Sequence, residues 1–171
     1  MSRNLLNVQY DKDNNGLYVT DNYLKRKDIT SARNALNGYQ KGKCFYCFAN
    51  ITTNQQDTSL CDVDHFFPHI LKPILPHVNL DGVWNLVLAC NHCNRGNDGK
   101  FAKVSAIKYL ERLFKRNEFL IGSHHPLRET LIQQTGKTEE ERKNFLKEID
   151  KVAINSLIHR WETSTEGEEA F

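Results

Sequence analysis

Four cysteines in two pairs, Cys44/Cys47 and Cys90/Cys93, bracket a run that reads Cys61-Asp62-Val63-Asp64-His65-Phe66-Phe67-Pro68. Two Cys-x-x-Cys knuckles form the donor set of a tetrahedral Zn²⁺ site, in which four thiolates close the coordination sphere and leave no position for water. Such an ion is structural: it ties a loop to a helix where little apolar core is at hand. A thioredoxin-like redox motif is the competing reading, but a second pair and the lack of a βαβ context count against it. The reactive groups are then expected between the knuckles, at Asp64 and His65. A carboxylate suits a hard cation such as Mg²⁺ or Mn²⁺. A neutral imidazole suits proton abstraction from water near neutral pH. Adjacent side chains of a strand point to opposite faces, so the pair can divide that labour only if the strand ends there and the chain turns.

Two asparagines extend the set. Asn94 follows Cys93 directly, on the first turn of a helix that the second knuckle opens, where its amide oxygen can ligate the same hard cation. Asn85, at the start of the preceding strand, can brace the proline-rich loop through backbone hydrogen bonds. Taken singly, Asp64 reads as a turn cap and His65 as a packing residue; their position between the knuckles points to chemistry. Other histidines rank lower. His92 lies inside the second knuckle, His69 is a loop residue within reach of a phosphate, and His124 and His125 precede Pro126 as helix-entry residues. Cys61, the fifth cysteine, reads as a small buried residue of a strand.

These residues must be positioned by a modest fold. The chain has 171 residues, 39% apolar and 26% charged, which fits a globular protein rather than a disordered one. No apolar run approaches the roughly 18–20 residues that span a bilayer, and the first residues lack a signal-peptide core. The expectation is therefore a cytoplasmic protein with no membrane partner. A net charge of +2 excludes a strong global basic signature but leaves room for a local basic face.

The fold class expected is α+β in three parts. Residues 1–43 read as a hairpin over 4–21, led by Leu5 and Leu6 and turning at Asn15-Gly16, then a basic cluster at Lys25-Arg26-Lys27. A helix follows, capped at Thr30 or Ser31 and ending near Gly42. Residues 44–102 carry the knuckles, a strand over 59–67, a loop with Pro68, Pro73 and Pro76 too proline-rich for helix, a strand over 84–89, and a helix from Asn91 to about Ala102 that Gly96 and Gly99 weaken. Residues 103–171 read as a helical extension. One helix carries Val104, Ile107, Leu110, Leu113 and Phe114, a stop falls at Gly136, and a last helix starts at Thr138 with an acidic first turn. The acidic end, 163–171, reads as frayed.

The strings Cys44-Phe45-Tyr46-Cys47, Asp62 to Pro68, and Trp84-Asn85 to Cys93-Asn94-Arg95 resemble the HNH (ββα-metal) nuclease family over roughly residues 40–102, about a third of the chain. The resemblance implies two strands and a helix around one divalent metal beside a Cys₄ zinc. It implies His65 as general base, Asp64 and Asn94 as ligands of a catalytic Mg²⁺ or Mn²⁺, Asn85 as the middle Asn, and Asn94 in place of the final His. It also implies DNA phosphodiester hydrolysis with 5′-phosphate and 3′-hydroxyl products. The helical extension is similar to those of bacterial HNH proteins of restriction or phage defence, which act within larger defence or effector complexes. Extra grip on DNA is expected from phosphate contacts by Arg95, Lys100, Lys103, Lys108 and Arg112, with Lys115 and Arg116 continuing the stripe, although an ordinary solvated helix face gives the same pattern. A zinc-stabilised nucleic-acid-binding module without catalysis is the alternative of another class, and a nickase or RNase would use the same machinery.

Overall fold

The structure, a computed structural model, describes residues 8–20 and 26–171. Leu5, Leu6 and Lys25 lie outside the described residues. The architecture is mixed α+β. Strands β1 (Gln9–Asp11), β2 (Gly16–Thr20) and β3 (Arg26–Ser31) form an antiparallel sheet in that order. Asn15 takes the left-handed conformation that the hairpin turn requires, at φ 48°. β3 is an addition to the expected hairpin: its sequence is too polar to announce a strand, yet its backbone pairs along all of β2. Ser31 ends β3 and starts α1 (Ala32–Gln40), its hydroxyl accepting from the Asn34 amide at 3.1 Å.

The central unit is a second antiparallel pair, β4 (Asp62–His65) and β5 (Leu86–Ala89), followed by the short helix α2 (Asn91–Arg95). Both strands are shorter than the sequence suggests. The first two residues of the expected second strand, Trp84 and Asn85, belong to a 3₁₀ turn, Val83–Asn85, and the proline-containing stretch His69–Ile74 is also 3₁₀ with Pro73 inside it. α2 stops at Arg95 because the chain packs back on itself: a Cβ at Gly96 would lie 2.7 Å from the His92 carbonyl.

A two-stranded sheet has open edges, and here the outer edge of β5 is covered. The buried Gln40 carboxamide donates to the Leu88 carbonyl at 2.8 Å and accepts from the Leu88 amide at 2.9 Å. The Phe45 amide donates to the same carbonyl at 2.9 Å. At the other end, the Arg116 guanidinium donates to the carbonyls of Leu86, Val83 and Trp84. β5 is therefore satisfied from α1, from the first knuckle and from α3 together.

Helices α3 (Ile107–Gly122), α4 (Arg128–Thr135) and α5 (Glu139–Leu157) complete the chain, with a small parallel pair, β6 (Val104–Ser105) and β7 (Arg160–Trp161). α5 begins at Thr138, whose hydroxyl accepts from the Glu141 amide, and Glu139, Glu140 and Glu141 complement the positive end of the helix. Gly136 closes α4 at φ 141°, a conformation that favours glycine. The core runs from Leu36 through Phe45, Tyr46, Phe66, Phe67 and Trp84 to Tyr109, Leu113 and Leu131. The acidic end is not frayed: the Gly167 amide donates to the Cys47 carbonyl at 2.8 Å, and Phe171 packs on Tyr39, Phe45 and Phe48. No helix among the described residues is long and apolar enough to cross a membrane.

Candidate functional site

The four cysteines converge. The sulfurs of Cys44, Cys47, Cys90 and Cys93 all lie within 4.8 Å of one another, and Cys47 Sγ is 3.7 Å from Cys90 Sγ. A tetrahedron with metal–sulfur bonds of about 2.3 Å has edges of about 3.8 Å, so the ring fits one metal ion such as zinc. Backbone amides already face the sulfurs: Cys90 N lies 3.3 Å from Cys44 Sγ, Cys93 N 3.4 Å from Cys90 Sγ, and Ala49 N 3.5 Å from Cys47 Sγ. Amide donors of this kind stabilise thiolate charge. Mutual hydrogen bonding, led by Cys44, holds Cys47 down to about 7 and Cys90 below its ordinary value. A divalent ion draws the whole ring toward thiolate.

Strand parity then distributes the central residues. Asp62 and Asp64 fall on one face of β4, Val63 and His65 on the other. Asp64 is buried and accepts from the Tyr46 hydroxyl at 2.6 Å, and the Lys100 ammonium lies 3.2 Å from its Oδ2. Lys100 also donates to the His65 carbonyl at 2.9 Å. Burial pushes the Asp64 carboxyl up, with Lys100 and Tyr46 pulling the other way. Asp62, partly buried, receives the Asn94 amide at 3.0 Å and Arg95 Nε at 2.9 Å. Asp64 and Asn94 thus belong to separate polar clusters. The Asp64 oxygens carry a phenol and an ammonium, and the Asn94 nitrogen faces the Asp62 carboxylate.

His65 ends β4 and turns toward a loop. Its Nε2 lies 2.9 Å from Asp81 Oδ1, and Lys72 Nζ lies 2.7 Å from Asp81 Oδ2. Burial, then His69, lowers His65 from 6.5 to about 4, so the ring is neutral at pH 7. Burial opposes ionisation of Asp81, but hydrogen bonds from Lys72 and His65 hold its carboxyl below the ordinary range. The shared proton therefore stays on His65 Nε2, and the accepting lone pair falls on Nδ1. With Val63, Asp64, His69, Ile70 and Phe101, His65 lines a cleft of about 230 Å³.

Asn85 locks the loop that carries Asp81. Fully buried, its Oδ1 accepts from the Phe67 amide at 2.8 Å, while its Nδ2 donates to the carbonyls of Phe67 at 3.0 Å and Leu80 at 2.9 Å. One carboxamide therefore clamps both ends of the segment from Phe67 to Leu80.

The expected phosphate-binding residues separate. Arg95 and Lys103 are exposed near the site. Lys100 is fully enclosed with Asp64, and Arg116 is buried on β5, so neither presents charge to solvent. Arg112 donates to the carbonyls of Phe45 and Tyr46 and pairs with Glu166; Lys108 pairs with Glu162 and Glu166. Lys108, Arg112 and Arg116 are structural donors because they face the acidic end of the chain, the first knuckle and β5, whereas Lys115 is exposed. Sequence reasoning passed over Asp81, Tyr46, Asp62 and Lys72. One signal for Asp81 was present: it is the only acidic residue between His65 and Asp98.

No family model matches the chain, and no curated protein or solved structure matches it either.

Proposed function

We propose that this chain is an HNH-type endonuclease that hydrolyses DNA phosphodiester bonds with His65 as the general base. The observation that carries the reading is the His65 environment. A neutral imidazole stands at the end of the first strand of a strand–strand–helix unit, and its Nε2–H is oriented by Asp81 in the way that a base is oriented by a third group. Nδ1 is then the atom that takes a proton from water as the oxygen attacks phosphorus. The four-cysteine ring, holding zinc, fixes the first knuckle against α2, and the Asn85 clamp fixes the loop behind His65. Arg95, 61% exposed, and Lys72, 45% exposed, supply nearby positive charge for phosphate. Ile70 and Phe101, exposed beside the cleft, suit contact with sugars and bases.

The resemblance behind this reading carries a requirement for Mg²⁺ or Mn²⁺. Lys100 stands at Asp64, where such an ion would bind. The closed Asp64–Lys100 pair also favours a second reading, a zinc-stabilised nucleic-acid-binding module in which the pair is only structural.

One panel separates the two. Plasmid, linear duplex, single-stranded DNA and RNA are incubated with Mg²⁺, Mn²⁺ or EDTA, and the native chain is compared with His65→Ala. The nuclease reading expects cutting by the native chain and none by the variant, with zinc content and circular dichroism unchanged. Nicked plasmid or cut RNA alone would assign a nickase or an RNase. Cutting that survives in His65→Ala refutes the base assignment, and binding with no cutting under any condition selects the binding module.

A further inference from the structure

His69 and Lys72 are not used by that reaction as acid or base, yet both point at the same carboxylate. His65 and His69 are four residues apart, across the start of the 3₁₀ turn, with ring centroids 3.8 Å apart. Asp81 reaches them from the loop that Asn85 clamps. His65 Nε2 lies 2.9 Å and His69 Nε2 3.5 Å from Asp81 Oδ1, and one ligand atom from each of the three residues can be chosen so that all lie within 4.8 Å of one another. His69 Nε2 is buried and makes no hydrogen bond to the described residues. An orphaned buried nitrogen is uncommon in a folded protein and calls for a partner. Burial lowers His69 as it does His65, so both rings hold a lone pair at neutral pH.

We propose that His65, His69 and Asp81 form a second metal site, separate from the four-cysteine ring, that takes a borderline divalent ion such as Zn²⁺. Two imidazoles and one carboxylate suit zinc and its neighbours rather than Mg²⁺, and three protein ligands leave a fourth position open. Lys72 sets the strength of the site. It occupies Asp81 Oδ2, so that Oδ1, which faces both imidazoles, is the oxygen that would turn to a cation, and it opposes that cation with its own charge. The site is therefore weaker than the cysteine ring and fills only after it.

Filling has a consequence that rests on the nuclease reading. A metal on Nε2 displaces the ring proton to Nδ1, which removes the lone pair that would accept a proton from water. Zinc beyond the structural equivalent then switches cleavage off.

The full chain, carrying one zinc per molecule by elemental analysis, is titrated with Co²⁺ and followed by visible absorption. The native chain is expected to take one further equivalent, with ligand-field bands and no thiolate charge-transfer band. His69→Gln and Asp81→Asn should lose that equivalent while keeping one zinc and the native circular dichroism, and Lys72→Met should bind it more tightly. Absence of a second equivalent in the native chain, or its retention with unchanged affinity in both His69→Gln and Asp81→Asn, overturns the site. In parallel, cleavage by the native chain is measured against added Zn²⁺, whose affinity for the second site is read by competition with Co²⁺. Cleavage should fall with the same midpoint; cleavage unchanged with the site filled overturns the switch. A chain that binds the second ion but cuts nothing upholds the site and overturns the nuclease reading instead.

Discussion

Replacing Asn85 tests whether one carboxamide holds the loop behind His65. Asn85→Ala leaves three buried backbone groups without partners: the Phe67 amide and the carbonyls of Phe67 and Leu80. Each buried group left unsatisfied costs roughly 1–3 kcal/mol, and water entering the space of the lost amide recovers part of the sum, which gives an expected loss of about 3–5 kcal/mol. Asn85→Asp separates hydrogen bonding from packing, because the side chain keeps its size. It still accepts from the Phe67 amide but sets oxygen against two carbonyls. Burial there raises the pKa of the introduced carboxyl above its unfolded value. Stability from such a group is complete below the unfolded pKa and is lost as pH rises through the folded one, so the deficit should be largest at pH 7 and shrink toward pH 5. The assay is urea unfolding at saturating zinc, read by the fluorescence of Trp84 and Trp161. A cost below about 1 kcal/mol for Asn85→Ala, or native stability of Asn85→Asp at pH 7, refutes the clamp.

Two further predictions concern buried charge. Lys100→Met strands the Asp64 carboxylate, and breaking a buried pair from one side should cost about 3–5 kcal/mol at pH 7. Because burial already raises Asp64, the deficit should shrink as pH falls and Asp64 takes up a proton, and the double variant Asp64→Asn/Lys100→Met should recover part of it. An equal deficit at every pH would assign the loss to the Lys100–His65 carbonyl contact instead. His65 is held at about 4 in the fold against 6.5 in the open chain, so between those values the unfolded state binds more protons. Its contribution is present above pH 6.5 and lost as pH falls toward 4, with a scale of about 3 kcal/mol. The NMR titration of the imidazole checks this directly, and a midpoint near 6.5 refutes the buried, neutral base.

The knuckles were legible because their geometry is local. Each pair spans a single turn, and four thiols at that spacing have few alternatives to one ion. α1 and α5 were legible for the same reason, since Ser31 and Thr138 cap the residues that follow them. What escaped the sequence depends on distant partners. Arg112 and Arg116 lie on a helix whose charge pattern suggests a solvated face, but the two-stranded sheet and the first knuckle lack donors on that side, and the guanidinium groups supply them. Lys100 reads as a surface cation because lysine seldom goes inside; the enclosed Asp64 draws it there. β3 was missed because its strand character comes from pairing with β2 rather than from apolar alternation.

Asp64 and His65 carry the same lesson to the site itself. Adjacent in sequence, they read as partners in one reaction; both line one cleft, yet their polar atoms engage different groups. Each finds its own partners: Lys100 and Tyr46, both buried, for Asp64, and the partly exposed Asp81, itself paired with Lys72, for His65. Lys100 joins the two sides, since it donates to the His65 carbonyl while pairing with Asp64. A cation that displaced Lys100 from Asp64 would also release the backbone of His65. Binding at Asp64 and orientation of the imidazole are therefore linked through one ammonium. Loss of that ammonium should disturb His65 even where Asp64 has been neutralised. In the double variant Asp64→Asn/Lys100→Met the His65 titration should move away from about 4, whereas Asp64→Asn alone should leave it in place.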